Sequence, residues 1–250
     1  MSRLLTVATL LFALTGCSNG YEDSELTGGG PPGALTAADL ERFLAVVQSH
    51  ETAMIPEFAP PEEDASFNFD GSAEELVTSF QAQCRRLFDV ERQGSIWQRD
   101  TEWAQALARN KISPNRFAAL VRDVSLAIMR VRLEARVDLA RLVSRARRQV
   151  DRAITTMDEI DEVPAEERTE EAATQRTRSV IQLGRSVALL EFAELVRQVP
   201  PESAAVVRKY SRQLKPLLPA GINDELLTEL KRLATAPDRD VQPAAYEERK

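Results

Sequence analysis

The chain has 250 residues, with 32 basic and 39 acidic side chains and a net charge of −7. That balance disfavours a nucleic-acid partner, whose phosphates call for a basic face. The length suits one large domain or two small ones, and the two cysteines, Cys17 and Cys84, leave little scope for disulfide bracing.

The first element is the opening MSRLLTVATLLFALTGC. One basic residue, Arg3, precedes an apolar run of eleven residues from Leu4 to Leu14. A helix needs about 20 residues to cross a bilayer, so residues 1–16 read as a secretory signal and not as a span. The run leads into Leu14-Thr15-Gly16-Cys17. This resembles the lipobox of bacterial lipoproteins, a resemblance confined to residues 1–17. It implies cleavage before Cys17, a diacylglycerol on the Cys17 sulfur and an acylated amino terminus. Several acyl chains hold far more firmly than one. The implied location is the bacterial cell envelope, extracytoplasmic, with the membrane as a partner through lipid on Cys17. Ser18 follows the cysteine where Asp would mark retention, which resembles sorting to the periplasmic face of an outer membrane. Cys84 is then a lone thiol, and no internal disulfide is expected.

Residues 17–35 are rich in Gly, Pro and acid and read as a lipidated flexible tether, spanning about 20–25 Å as a coil. A single all-helical domain is expected over 36–236, with a disordered tail over 237–250. Thr36 with Asp39 approximates a capping box, and Leu40, Phe43, Leu44 and Val47 follow at helical spacing. Residues 56–71 break the chain. Ser72 with Glu75 is a full capping-box pattern, starting a helix with Val77, Phe80, Cys84, Leu87 and Phe88 on one face. Gly94 is expected to interrupt before a helix carrying Trp97, Thr101, Ala104 and Leu107.

Ser113-Pro114 pairs an N-cap with proline at the first helical position. From Phe117 to Ile160, apolar residues recur about every 3.6 positions, the α-helical period. One long helix is therefore expected from about 114 to 161. Leu126, Met129, Leu133 and Val137 add a second stripe, which places the middle of this helix between layers. Pro164 starts the next expected helix, to about 199, polar in its first half and apolar nearly all round in its second. Shorter helices are expected at about 202–214 and 223–236, with no strand and no repeat of fixed period.

The expected fold is an all-α antiparallel helical bundle with a long, coiled-coil-like helical hairpin, about 114–161 and 164–199. Its distal part, 141–178, has little apolar surface and should project as an arm. Folding about Val163 sets Arg141, Arg145, Arg147, Arg148 and Arg152 opposite Arg176 and Arg178. That is a candidate anion-docking belt, for an anionic envelope component or a protein partner, with a solvated face as the plainer reading. Residues 158–171 make an acidic tip.

Chemistry-bearing motifs are scarce. His50 is the one histidine; it ends the first helix, where a cation suits the dipole, and capping or surface placement is expected. Cys84 continues an apolar stripe and should be buried. Trp97 and Trp103 should be core. Gly184 lies on the apolar side of its helix and marks a close approach. Glu191 shares that side, as a structural buried acid needing a cation from the preceding Arg-rich helix. Glu191 and Glu194 form Glu-x-x-Glu without the histidine of two-metal bundle sites. No catalytic set, metal site or cofactor is expected. The reading is a lipid-anchored envelope protein acting as a binding or scaffolding module. The alternatives are a hydrolase or transferase with an unrecognised carboxylate site, or a helical chaperone or carrier for an apolar ligand.

Overall fold

Thr36 and Ser72 cap their helices as their spacing requires. Each side chain accepts from the backbone N–H three residues on, while Asp39 and Glu75 accept from the cap N–H. A computed structural model describes residues 32–60, 69–135, 137–163 and 167–218. Among these the protein has nine α-helices and no strand, an all-α helical bundle. The expected signal, Cys17, most of the expected tether, the expected helix at 223–236 and the expected tail lie outside the described residues.

The helices are α1 (Ala37–Ser49), α2 (Ala73–Leu87), α3 (Val90–Arg99), α4 (Thr101–Arg109), α5 (Pro114–Glu134), α6 (Leu139–Asp161), α7 (Glu170–Gln198), α8 (Pro201–Lys209) and α9 (Ser211–Leu214). A short 3-10 turn, Lys215–Leu217, follows. The Ile55 N–H donates to the Leu217 carbonyl at 2.8 Å, tying the loop after α1 to that turn.

Several boundaries differ from the periodicity. The expected 114–161 helix is two helices, parted at residues 135–138. Asp138 takes the Ala140 and Arg141 N–H groups on its side chain, which starts a new helix. The apolar period runs on across this break, so periodicity alone does not report it. Gly94 does not interrupt; it lies inside α3. The breaks fall at Asp89 and Asp100, whose side chains cap α3 and α4. The helix after the hairpin turn starts at Glu170 and not at Pro164, because Thr169 accepts from the Ala172 N–H. The expected 202–214 helix is interrupted at Tyr210.

Central α5 runs between layers, as its second apolar stripe anticipates. From Phe117 to Val124 every residue is buried. Phe117 lies 5.3–6.0 Å from the rings of Trp97, Trp103 and Phe43. Such pairs contribute about 0.5–1.5 kcal/mol each beyond area burial. Trp97 and Trp103 are core. Arg122 is fully buried and pairs through Nε with Asp123 Oδ1 at 2.9 Å.

The hairpin proper is α6 against α7, and it is not a bare arm. A second core cluster joins Ala73 and Leu76 of α2 to Val150, Ala153 and Met157 of α6 and Val180, Leu183 and Val187 of α7. Helix α2 runs parallel to α7, from the hairpin turn toward its base. The tether also ends earlier than its composition indicates. Pro32 and Leu35 are buried, the Leu35 N–H donates to Ser203 Oγ at 2.9 Å, and the Ser203 hydroxyl donates to the Gly33 carbonyl at 3.4 Å.

Candidate functional site

The turn end of the hairpin is organised around Asp161, the last residue of α6. Arg176 on α7 meets it with Nε at 2.8 Å and Nη2 at 3.2 Å. Arg168, in the turn, adds Nη2 at 2.8 Å. The two guanidiniums also collect backbone oxygens. Arg176 donates to the carbonyls of Phe69 and Gly71 at 2.7 and 2.8 Å, and Arg168 to that of Val163 at 2.8 Å. One carboxylate thereby ties together the entry to α2, the end of α6 and the first turns of α7. The hydrogen bonds to Asp161 push the Arg176 guanidinium above its ordinary value, against the opposing effect of burial.

This takes the candidate anion belt apart. Arg176 is buried in the clamp and Arg145 is buried in α6. Arg147 pairs with Glu194 at 3.0 Å, so α7 stands displaced along α6 relative to a turn centred on Val163. The longer turn, closed at Thr169, is the physical cause. Arg141, Arg148, Arg152 and Arg178 are exposed, but the four do not form the expected single stripe with Arg145 and Arg176.

The acidic tip is exposed at Asp158, Glu159, Glu162, Glu167 and Glu170. Glu170 suits the start of α7. Asp158 and Glu159 lie at the end of α6, whose last turn holds no basic residue. Carboxylates there oppose the helix dipole, at about 0.3–1 kcal/mol each.

At the seam of α2 and α7, Gly184 does mark a close approach. A Cβ there would lie 2.8 Å from the Phe80 ring. Glu191 is half-buried. Gln81 of α2 donates to it at 2.9 Å, because α2 occupies that flank. Cys84 is buried, and its thiol is pushed up to about 12, first by burial and then by the Glu191 charge. A thiol so shifted carries almost no thiolate at neutral pH.

His50 caps the end of α1 but is buried instead of surface-placed. Its ring stacks on Trp103 at 3.8 Å. Its Nδ1 lies 3.0 Å from Thr52 Oγ1 and 3.3 Å from the Thr52 N–H nitrogen, and its Nε2 lies 3.5 Å from Glu102 Oε2. His50 and Cys84 thus lie in different neighbourhoods.

Among the described residues no group of three or more His, Cys, Asp or Glu is placed to hold a metal, and no helix is long and apolar enough to cross a membrane. Sequence reasoning missed the Asp161 clamp and the Arg122–Asp123 pair. Thr169 followed by Glu170 was the available signal for the clamp, since it moves the helix start and with it the hairpin register. Compared with protein-family models, with curated proteins and with solved structures, the chain gives no match.

Proposed function

We propose that this protein is a lipid-tethered helical module of a bacterial envelope, acting by binding or scaffolding. The observation that carries the reading is the Leu14-Thr15-Gly16-Cys17 box directly after a short apolar run.

Two structural features support it. The chain entering from the side of Cys17 is fastened to the bundle through Ser203, at the start of α8. Helix α7 has 29 residues, about 42 Å, and its last turn abuts α8. The hairpin turn is therefore held away from the tether's entry, as a module reaching for a partner requires. The side chains best suited to chemistry are also engaged in structure: Cys84 is protonated in the α2–α7 seam and His50 lies flat on Trp103.

The test is Cys17→Ser in the exported protein. Loss of metabolic lipid label and an uncut precursor are expected. Unchanged lipid labelling would overturn the anchoring.

A further inference from the structure

Four large apolar side chains are exposed among the described residues, and two of them belong to the hairpin's turn end: Phe69, at 61%, and Val163, at 43%. Neither projects from an untied loop. The Phe69 carbonyl is gripped by Arg176 and the Val163 carbonyl by Arg168, and both guanidiniums hold Asp161. The backbone that presents these two largely exposed side chains is held by those bonds. The same end of the hairpin carries Asp158, Glu159, Glu162, Glu167 and Glu170, all exposed. The α6 members of that set oppose their own helix dipole, so their placement is not one that helix stability favours. Places where a local rule is broken are where function is expected.

We propose that the hairpin end is a docking surface for a protein segment that presents basic residues around an apolar pocket, with Phe69 and Val163 as its anchors. The proposal rests on the binding reading above and names the surface. Apolar anchors within a charged rim are the usual anatomy of such a contact: the anchors supply affinity and the rim supplies register and encounter rate. The acidic rim selects the charge of the partner. It repels anionic lipid and polyanions, and it repels a second copy of itself.

The test uses the full mature chain from residue 17, carrying Cys17→Ser, and a fluorescent amphipathic peptide of leucine and lysine. Binding is expected, weakening as salt rises. Phe69→Ser with Val163→Ser should raise Kd about tenfold, and Glu159→Lys with Glu162→Lys should do the same. Ile181→Ser, at an exposed apolar residue of α7, should leave Kd unchanged. Thermal unfolding checks that each variant is folded. Unchanged Kd in the hairpin-end variants, or equal binding of a leucine–glutamate peptide or of phosphatidylglycerol vesicles, would overturn the proposal. A photocrosslinking residue at positions 69, 163 and 181 of the lipidated protein in cells separates the two failures. Adducts from 181 alone would overturn this surface and leave the binding reading standing; no adduct from any position would overturn both.

Discussion

Arg176 meets Asp161 with two nitrogens, and that pair joins the end of one hairpin helix to the first turns of the next. Because Arg176 also holds the carbonyls of Phe69 and Gly71, the pair fixes where α2 begins. Arg176→Met removes every one of these bonds and leaves Asp161 with Arg168. The expected loss is about 3 kcal/mol, typical of breaking a largely buried pair from one side, read by denaturant unfolding. New protease cleavage near residues 69–71 should accompany it. An unchanged midpoint would show that the clamp contributes nothing net.

The two helical glycines should answer alanine differently. At Gly94 a Cβ would meet the backbone nitrogen and Cα of Asn115 at 3.0 and 3.1 Å, so a helix must move. Gly94→Ala should destabilise by about 1–3 kcal/mol despite its better helix propensity. At Gly184 the obstacle is the tip of the half-buried Phe80 ring. The ring can swing, and the propensity gain of about 1 kcal/mol offsets the crowding. Gly184→Ala should fall within about 1 kcal/mol of the wild type, and Phe80→Leu in that background should recover any loss. Equal effects at both sites would contradict this distinction.

Cys84 should resist thiol reagents at pH 8 in a Cys17→Ser background until the protein unfolds. Its folded value, about 12, lies above that of an exposed thiol, so the folded state holds the proton longer. The associated stability is complete below about pH 8.5, the value of a free thiol, and declines as pH rises toward 12. Cys84→Ala should flatten that decline in alkaline unfolding curves. Rapid labelling of the native protein would contradict the burial.

Asp39 controls an acid limb. Burial raises its carboxyl, but the bonds from Thr36 and the charge of Arg116, 2.6 Å away, outweigh that and hold it below its ordinary value. The folded state therefore releases this proton more readily than the unfolded chain does. The stability from Asp39 is present above the unfolded value of about 3.9 and is lost as pH falls through the lower folded one. Asp39→Asn should lower stability at pH 7 and reduce its slope between about pH 5 and pH 2. A slope identical to that of the wild type would assign the acid limb to other carboxylates.

The local signals read well from the chain. Thr36, Ser72 and Ser113 each cap a helix where their spacing predicts, because a cap is an interaction over three or four residues. The two-sided apolar pattern of 117–133 placed α5 between layers, and the stripe through Cys84 placed that thiol inside, since burial follows from which helix face is apolar. Boundaries at Asp89, Asp100 and Asp138 were less legible. An aspartate within an apolar period is either a solvated residue or a cap, and the choice depends on what the next helix packs against.

The all-α class, the short apolar opening run that ends at Cys17 and the residues destined for burial are written in the order of side chains along the chain, because helical period and capping are local. The hairpin register is not local. Whether Arg147 meets Glu194 or an arginine near 178 depends on where the turn closes and on how α2 seats Phe80 over Gly184. Long side chains also hide their destination: Arg176 and Arg145 have the composition of a surface belt, yet they lie inside because neighbouring helices fold over them. Pairing of distant charges depends on the three-dimensional arrangement of helices, which no spacing along one helix encodes, and so the acidic end with Phe69 and Val163 comes into view only once the chain is folded.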